Sequence, residues 1–143
     1  MIGNNCRLTN VHITLFGNNA KCYIGSNVVF NSTYSKGVVI NVSEDHQVQI
    51  GDNTLFSKDV EIYTTDFHTI YNSNGDVINK DANVFIGDNV WVGMHTLFLK
   101  GSYIPNGCVV GAGSLVSSVF GKENSIYLGR PARINKTDIH WEK

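Results

Sequence analysis

His68 is the residue whose type and position in the sequence best suit it for chemistry. It stands near the start of the one stretch, Phe67 to Asn83, that departs from an otherwise regular pattern, and Asp66 lies two positions before it. An imidazole gains and loses a proton near neutral pH, which makes histidine a frequent general acid or base. Asp66 could orient such a ring or tune its charge, or it could be an ordinary corner residue of the fold. We therefore predict that His68 is functional and leave the role of Asp66 open.

The cysteines and the other histidines do not form a recognisable metal pattern. Cysteine occurs at Cys6, Cys22 and Cys108, an odd number without metal-ligand spacing. Cys108 falls where the sequence repeat has small residues that should pack inside, and His95 falls at a predicted outward corner. The sequence therefore predicts no metal site.

The elements that position His68 follow a repeat of six residues. Every sixth residue is an apolar anchor, and the fourth residue after most anchors is small or short-branched. The anchors are Ile86, Val92, Phe98, Ile104, Val110 and Val116, with the same spacing earlier at Ile50, Phe56 and Ile62. A helix places residues i and i+6 on different faces, and a single strand would be far longer than usual. One short strand per repeat, followed by a corner, predicts a hexapeptide β-helix with about 18 residues per coil.

The chain is predicted to be one all-β domain over residues 1–143. Ile-Gly pairs begin at Ile2, Ile24, Ile50 and Ile86, so the N-terminal third is expected to form wider coils that bulge at the corners. A string of turn-forming residues predicts a loop extruded from the prism at about residues 67–83. The repeat ends after Val116, and a basic C-terminal tail at about residues 122–143 is expected to leave the solenoid, whose last coil needs a cap.

The charge balance argues against partners that bind through bulk electrostatics. The 143 residues carry a formal net charge of −1, which does not favour nucleic acid or an anionic membrane surface. No apolar run approaches the roughly 20 residues that span a bilayer. The first residues, Met1 to Arg7, lack the layout of a signal peptide. A cytoplasmic protein without membrane insertion is therefore expected.

Three runs of residues, in this order, resemble the hexapeptide-repeat acyltransferases and, within them, the sugar and polysaccharide O-acetyltransferases. The runs are Ile86-Gly87-Asp88-Asn89-Val90-Trp91-Val92-Gly93, Val110-Gly111-Ala112-Gly113-Ser114 and Gly129-Arg130-Pro131-Ala132-Arg133. The resemblance covers about residues 44–143 well and the N-terminal part loosely. It implies a left-handed parallel β-helix, a homotrimer with active sites between subunits, acetyl-CoA in the groove between them, and a carbohydrate acceptor.

The resemblance also implies roles for individual residues. His68 corresponds to the general base that takes a proton from a sugar hydroxyl as the hydroxyl attacks the thioester directly, without an acyl-enzyme. Asp66 is the candidate partner of that ring. Trp91, on the outward side of its strand, is expected to contact the acceptor, the acetyl group or a neighbouring subunit. Glu44 and Asp45 are expected to bind acceptor hydroxyls, or else to be turn residues.

The residues implied for the donor lie in the C-terminal half. Pantetheine is expected at Met94 and Ala112, and the nucleotide near Ser117, Ser118, Arg133 and Lys136, of which the basic residues could also be a solvated tail. The family usually has a lysine at the position of Ser118 and then paired prolines, which this chain lacks. Lys122 is therefore the candidate phosphate partner.

Three alternatives fit a β-helix of this kind. An N-acyltransferase acting on a nucleotide-linked amino sugar would share the donor and a histidine base, but many such enzymes carry an additional N-terminal nucleotide-sugar domain, so O-acetylation is preferred. A metal hydratase would need three histidines converging on zinc, and His68 and His95 do not have the paired spacing of such enzymes. A non-catalytic solenoid would act as a binding or structural module.

Overall fold

The computed structural model describes residues 1–32 and 36–143, which contain 16 short strands and no α-helix. The strands form three sheets, and each sheet is one face of a three-sided prism. The seven-stranded face has, in spatial order, β1 (Arg7–Leu8), β4 (Val29–Phe30), β7 (Leu55–Phe56), β10 (Trp91–Val92), β13 (Val109–Val110), β15 (Ile126–Gly129) and β16 (Ala132–Lys136). The five-stranded face has β14 (Leu115–Val116), β11 (Leu97–Phe98), β8 (Val60–Tyr63), β5 (Val38–Val42) and β2 (Val11–Leu15). The four-stranded face has β12 (Tyr103–Ile104), β9 (Val84–Ile86), β6 (Gln47–Ile50) and β3 (Lys21–Ile24).

Successive strands visit the three faces in turn, so each coil adds one strand to every face. On the four-stranded face, Ile24 pairs with Ile50, Ile50 with Ile86, and Ile86 with Ile104, all in parallel register. The anchors of the sequence repeat thus stack directly above one another. The predicted parallel β-helix is confirmed.

The apolar anchors form the core of the prism. All nine anchors predicted between Ile50 and Val116 are at most 2% exposed. The small residues predicted for the corner positions are buried as well, at Thr54, Val60, Val90, Thr96, Ser102, Cys108 and Ser114. Asp66 differs, because it is exposed at the point where the chain leaves the prism. Since side chains alternate along a strand, the residue before each anchor faces outward.

One edge of the prism explains why the Ile-Gly pairs at Ile50 and Ile86 are each followed by Asp-Asn. We call this edge the asparagine edge. Five asparagines adopt left-handed backbone conformations where the four-stranded face turns into the seven-stranded face: Asn5, Asn27, Asn53, Asn89 and Asn124. Side chains connect successive coils here, since Oδ1 of Asp88 accepts the N–H of Asp52 at 2.8 Å. Only glycine fits beside this bond, because a Cβ at Gly51 would lie 2.3 Å from that oxygen.

The N-terminal coils are wider than the regular ones, as predicted. The pairing of Ile24 with Ile50 spans 50 − 24 = 26 residues, whereas that of Ile86 with Ile104 spans 104 − 86 = 18. Part of the difference lies in the strands themselves, because β3 and β6 have four residues and β5 has five, where β12 and β14 have two. The extra length therefore widens two faces and is not confined to the corners.

The irregular segment is an extruded loop over residues 64–83, which we call the loop. It leaves at the edge between the five-stranded and four-stranded faces, here termed the loop edge, and Tyr71 and Val77 form an antiparallel bridge within it. The predicted tail begins differently from the expectation. β15 extends the seven-stranded face in parallel with β13, and β16 folds back antiparallel over it. This hairpin caps the prism, and two of its own residues, Tyr127 and Ala132, are each 1% exposed.

The last residues, 137–143, run back along the asparagine edge, and we call them the C-terminal strap. The N–H of Ile139 donates to the carbonyl of Asn124 at 2.9 Å, and Nε1 of Trp141 donates to the carbonyl of Asn89 at 2.8 Å. The ammonium group of Lys143 donates to the carbonyl of Asn27. The strap therefore passes several coils of the prism.

Candidate active site

His68 lies at the loop edge and is exposed to solvent. It borders an open cavity of about 390 Å³ that is also lined by Thr65, Phe67, Tyr71 and Asn79. The backbone at His68 is fixed, because Nδ2 of Asn79 donates to the His68 carbonyl at 2.8 Å. The imidazole therefore stands in an accessible cleft on a tethered piece of backbone.

The residue before His68 has an unusual conformation. Phe67 has a φ of 63°, in the left-handed region that bulky side chains rarely adopt. Its N–H donates to Oγ1 of Thr65 at 3.0 Å, which closes a tight turn. Strained backbone of this kind persists where the surroundings hold it, and it clusters at functional sites. The turn sets the direction in which the chain presents His68.

Asp66 ties the root of the loop to the next coil. Its Oδ2 accepts hydrogen bonds from the ammonium group of Lys100 and, at 2.9 Å, from Nδ2 of Asn79. The bond from Lys100, followed by the bond from Asn79, holds the pKa of the Asp66 carboxyl below its ordinary value. Because Asn79 also bonds to the His68 carbonyl, the carboxylate is linked to the backbone of His68.

Glu44 and Asp45 lie on the loop edge one coil below His68, and both are exposed. Oε1 of Glu44 accepts the N–H of Asn18 at 3.2 Å, and Oδ1 of Asp45 accepts Nδ2 of Asn19 at 2.9 Å. Asp45 also has a left-handed φ of 59°. Both residues thus take part in the turn structure of this edge while remaining accessible near the His68 cleft.

Trp91 faces outward on the seven-stranded face, as predicted, and is 40% exposed. Its Nε1 donates to Oγ of Ser57 at 3.5 Å. The ring of Trp141, from the C-terminal strap, packs against it with a centroid separation of 6.1 Å and an interplanar angle of 43°. The loop edge is the edge opposite this face, so His68 and Trp91 lie on different sides of one chain.

Met94 and Ala112 lie together on the edge between the seven-stranded and five-stranded faces, which we call the His95 edge. The carbonyl of Met94 accepts the N–H of Gly113 at 2.8 Å, and Met94 is 42% exposed. The coils meet closely here, since a Cβ at Gly93 would lie 2.5 Å from the Ala112 nitrogen. A Cβ at Gly113 would meet nothing within 4 Å. The edge thus presents nearly bare backbone, which a narrow, extended ligand can approach.

The other donor-site candidates are dispersed. Ser117 and Ser118 are exposed on the loop edge, above the loop. Nζ of Lys122 lies 3.4 Å from Oδ1 of Asp138 and is thereby paired with the strap. Arg133 and Lys136 are exposed on β16. A single chain therefore places His68, Asp66, Glu44, Asp45, Ser117 and Ser118 on one edge, and Trp91, Met94 and Ala112 elsewhere.

Sequence reasoning did not single out the residues that hold the site together. Lys100 and Asn79 fix the loop, but no spacing in the sequence links either of them to Asp66. Phe67 had a signal, because it is a bulky residue at a corner where this chain mostly uses Gly, Asn or Asp. No sequence feature predicted a role for Trp141, because its contact with Trp91 depends on the path of the C-terminal strap.

Two features are absent from the part of the chain that the structure describes. Residues 1–32 and 36–143 contain no group of three or more His, Cys, Asp and Glu side chains that could hold a metal ion. Within the same residues, no helix is long and apolar enough to cross a membrane. Burial raises the pKa of the Cys108 thiol, which is packed in the core.

Known proteins with similar sequences and structures are acyltransferases. No family model matches the chain. Galactoside O-acetyltransferase of Escherichia coli (strain K12) is 31% identical over 121 residues, which cover 82% of this chain and 59% of that protein. The chain therefore spans less than two thirds of the length of this curated relative.

Two crystal structures extend the comparison. The polysialic acid O-acetyltransferase OatWY has a TM-score of 0.79 at 32% identity, over 99% of this chain and 75% of that chain. A variant of AntD, an N-acyltransferase from Bacillus cereus, was crystallised with dTDP and coenzyme A. It has a TM-score of 0.57 at 19% identity, over 95% of this chain and 82% of that chain, a likeness of fold alone. The predicted fold, a left-handed parallel β-helix, is confirmed.

Proposed function

The chain belongs to the hexapeptide-repeat acyltransferases with a left-handed β-helix, and from this premise we propose that it transfers an acetyl group from acetyl-CoA to a hydroxyl of a sugar or polysaccharide. The observation that carries the proposal is the accessible imidazole of His68, carried on tethered backbone at the root of the loop. Two relatives above 30% identity are O-acetyltransferases named for a galactoside and for polysialic acid.

The chemistry assigned to His68 is general-base catalysis. A sugar hydroxyl is a weak nucleophile, so the imidazole accepts its proton while the oxygen attacks the thioester carbonyl. The resulting tetrahedral adduct collapses to the acetyl ester, and the C–S bond breaks. The coenzyme A thiolate leaves and the imidazolium returns the proton to its sulfur. The histidine is thereby regenerated, and an acyl-enzyme is not formed.

The donor is assigned to the His95 edge. Met94 and Ala112 present exposed positions on neighbouring coils, and the adjacent glycines leave the backbone open to a pantetheine chain. Ser117, Ser118, Lys122, Arg133 and Lys136 are the candidate contacts for the nucleotide part. Cationic side chains among them can pair with phosphate groups.

A homotrimer is proposed because two faces of the isolated chain carry columns of outward apolar side chains. On the four-stranded face Tyr23, Phe85, Tyr103 and Val119 follow one register that also contains one polar residue, Gln49, and Val119 is 72% exposed. On the seven-stranded face Val29, Leu55, Trp91, Val109 and Ile126 do the same. Largely apolar surface of this kind is typical of an interaction site. Packing of one such face on the other forms a closed ring of three.

This arrangement also completes the site. If the four-stranded face of one subunit packs on the seven-stranded face of the next, the asparagine edges meet near the threefold axis. At the outer side of each interface, the loop edge of one subunit then lies beside the His95 edge of its neighbour. His68 would thus meet Trp91, Met94 and Ala112 of the next subunit, which a single chain keeps apart.

The test is acetyl transfer by the purified protein from acetyl-CoA to a panel of sugars, oligosaccharides and amino sugars, followed as thiol release. Mild alkali removes O-acetyl esters and leaves N-acetyl amides intact, so the product distinguishes the two reactions. Alkali-labile acetate on a carbohydrate is the expected result. Transfer to amino groups alone would support the alternative, an N-acyltransferase acting on a nucleotide-linked amino sugar. A protein that transfers acetyl groups to no carbohydrate would contradict both.

A further inference from the structure

An aromatic cluster stands beside the His68 cleft, and we call it the aromatic shelf. It consists of Phe16, Tyr63 and Phe67, whose rings contact edge to face with centroid separations of 5.8 Å for both Phe16–Phe67 and Tyr63–Phe67. Phe16 is 41% exposed and Phe67 54%. Phe67 directly precedes His68 in the chain. The shelf thus offers apolar ring surface next to the candidate base.

The shelf continues across the five-stranded face through one pair of residues. Tyr63 and Glu61 face outward from β8, and the Tyr63 hydroxyl donates to Oε2 of Glu61. Residues two apart in a strand are roughly 7 Å apart on the same side. Glu61 lines an open cavity of about 500 Å³ that we call the face cavity. A series of contacting side chains, Phe67, Tyr63 and Glu61, therefore leads from the neighbour of His68 to this cavity.

The face cavity contains many groups that can bind hydroxyls. Its lining includes Lys36, Asp59, Glu61, His95, Leu97 and Arg130. Nδ1 of His95 lies 3.6 Å from Oδ2 of Asp59. The other oxygen, Oδ1 of Asp59, is buried and has no hydrogen-bond partner among the described residues. Such an oxygen is costly to bury without a donor. Because it is inaccessible in the free chain, the groups of the cavity that a hydroxyl can reach are the exposed side chains of the lining.

From these features we infer that the five-stranded face binds the acceptor as an oligosaccharide that occupies at least two subsites. One sugar unit lies on the aromatic shelf beside His68, and a unit further along the chain lies in the face cavity. Ring surface and mixed donors and acceptors are the two kinds of group that a pyranose requires. This inference rests on the proposed function for the identity of the first unit as the acetylated one.

The test measures binding to the 143-residue protein by titration calorimetry, without acetyl-CoA. The probes are sialic acid, galactose and α-1,4-linked glucose, each as monomer, dimer, tetramer and hexamer. Affinity for at least one series is expected to rise with length and then level off. Equal affinity at every length in all three series would overturn the inference, whether or not the protein transfers acetyl groups.

Two variants locate the subsites. Leu97→Trp fills the face cavity and is expected to remove the gain from length while leaving monomer binding unchanged. Leu115→Trp is its control, because Leu115 is the register partner of Leu97 on β14 and does not line the cavity. Phe16→Leu should weaken binding at every length by roughly three- to tenfold. His12→Leu, at an exposed position on the adjacent strand β2, should not weaken binding.

The results separate this inference from the proposed function. Acetyl transfer combined with binding that Leu97→Trp and Phe16→Leu leave unchanged would overturn the inference alone. A change of oligomeric state in Phe16→Leu or Leu97→Trp would also overturn it, because the face would then be a subunit contact. Length-dependent binding lost in Leu97→Trp would support it even if no transfer occurred.

Discussion

The carboxylate of Asp66 accepts a hydrogen bond from the ammonium group of Lys100, which lies one coil further along the prism. The lysine also donates to the carbonyl of Asn79, at 2.6 Å, near the other end of the loop. One cation thus joins both ends of the loop to the solenoid. This arrangement allows a loop of exposed residues to present His68 in a defined place.

Asp66→Asn should weaken the root of the loop. The folded-state pKa of Asp66 is lowered, chiefly by Lys100, so its contribution to stability is present above the ordinary pKa of about 4 and is lost as pH falls through the folded-state value. The pair is partly exposed, so the variant should lose up to about 1 kcal/mol at neutral pH. The measurement is urea unfolding at fixed protein concentration, at neutral and at acid pH.

The control for this variant is Asp76→Asn at the loop tip, where the carboxylate bonds to the amide of Asn72 and not to a lysine. At neutral pH, Asp76→Asn should lower the free energy of unfolding by less than Asp66→Asn does. If the loss of unfolding free energy in Asp66→Asn stayed constant down to strongly acid pH, the charge pair would not be the source of that loss.

His68→Ala should lower kcat by a factor of about 100 to 10,000, the usual contribution of a positioned base. Its circular dichroism spectrum and oligomeric state should not change, because His68 is exposed. Steady-state thiol release measures the rate. His140→Ala, also exposed, is the matched control and should keep full activity. Equal rates for the two variants would remove His68 from the mechanism.

Gly51→Ala should destabilise the fold by about 1–3 kcal/mol, the usual cost of overpacking. The added Cβ would lie 2.3 Å from Oδ1 of Asp88 and 2.6 Å from the carbonyl of Gly87. Gly121→Ala is the control, since a Cβ there meets nothing within 4 Å. Thermal unfolding of both variants checks the prediction, and similar losses would contradict the close approach of coils at the asparagine edge.

Tyr63→Phe should change the titration of the tyrosine side chains at alkaline pH. Burial, with a further contribution from Glu61, raises the pKa of Tyr63 to about 12. Because the protonated phenol is favoured in the folded state, its contribution to stability is complete below the ordinary pKa of about 10 and disappears as pH rises through 12. Phenolate absorbance should show a late step that the variant lacks.

Tyr71→Phe, in the exposed part of the loop, provides the comparison for that titration. The late step should persist in it. If Tyr63→Phe and Tyr71→Phe gave the same titration curve, the burial of Tyr63 against Glu61 would be refuted.

The repeat could be predicted from the sequence because one physical requirement recurs at every coil. Each anchor must fill the same narrow interior. The buried positions of Val92, Phe98 and Ile104 can therefore each be predicted from the six-residue spacing. The extruded loop was visible for the converse reason, since it breaks the spacing after Ile62. The cap was less predictable, because β15 pairs with β13 through backbone hydrogen bonds that do not demand the repeat.

The assembly of the site could be anticipated only in part. His68 stood out because it is a titratable residue at a break in the pattern. The contacts of Asp66 with Lys100, and of Trp91 with Trp141, join positions far apart in sequence. Such contacts depend on how far each corner bulges and on where the strap runs. Neither quantity follows from periodicity.

The most direct test of the intersubunit site is complementation between His68→Ala and Trp91→Ala, each of which is expected to have little activity on its own. Mixed in equal amounts, unfolded and refolded together, they should assemble mixed trimers. Each mixed trimer then has one site in three that combines an intact His68 with an intact Trp91 from the neighbouring subunit, which makes about one site in four over all the trimers that random assembly forms. Activity should recover to about a quarter of the wild-type value. A mixture no more active than its parents, while mixed trimers are present, would contradict a site shared between subunits.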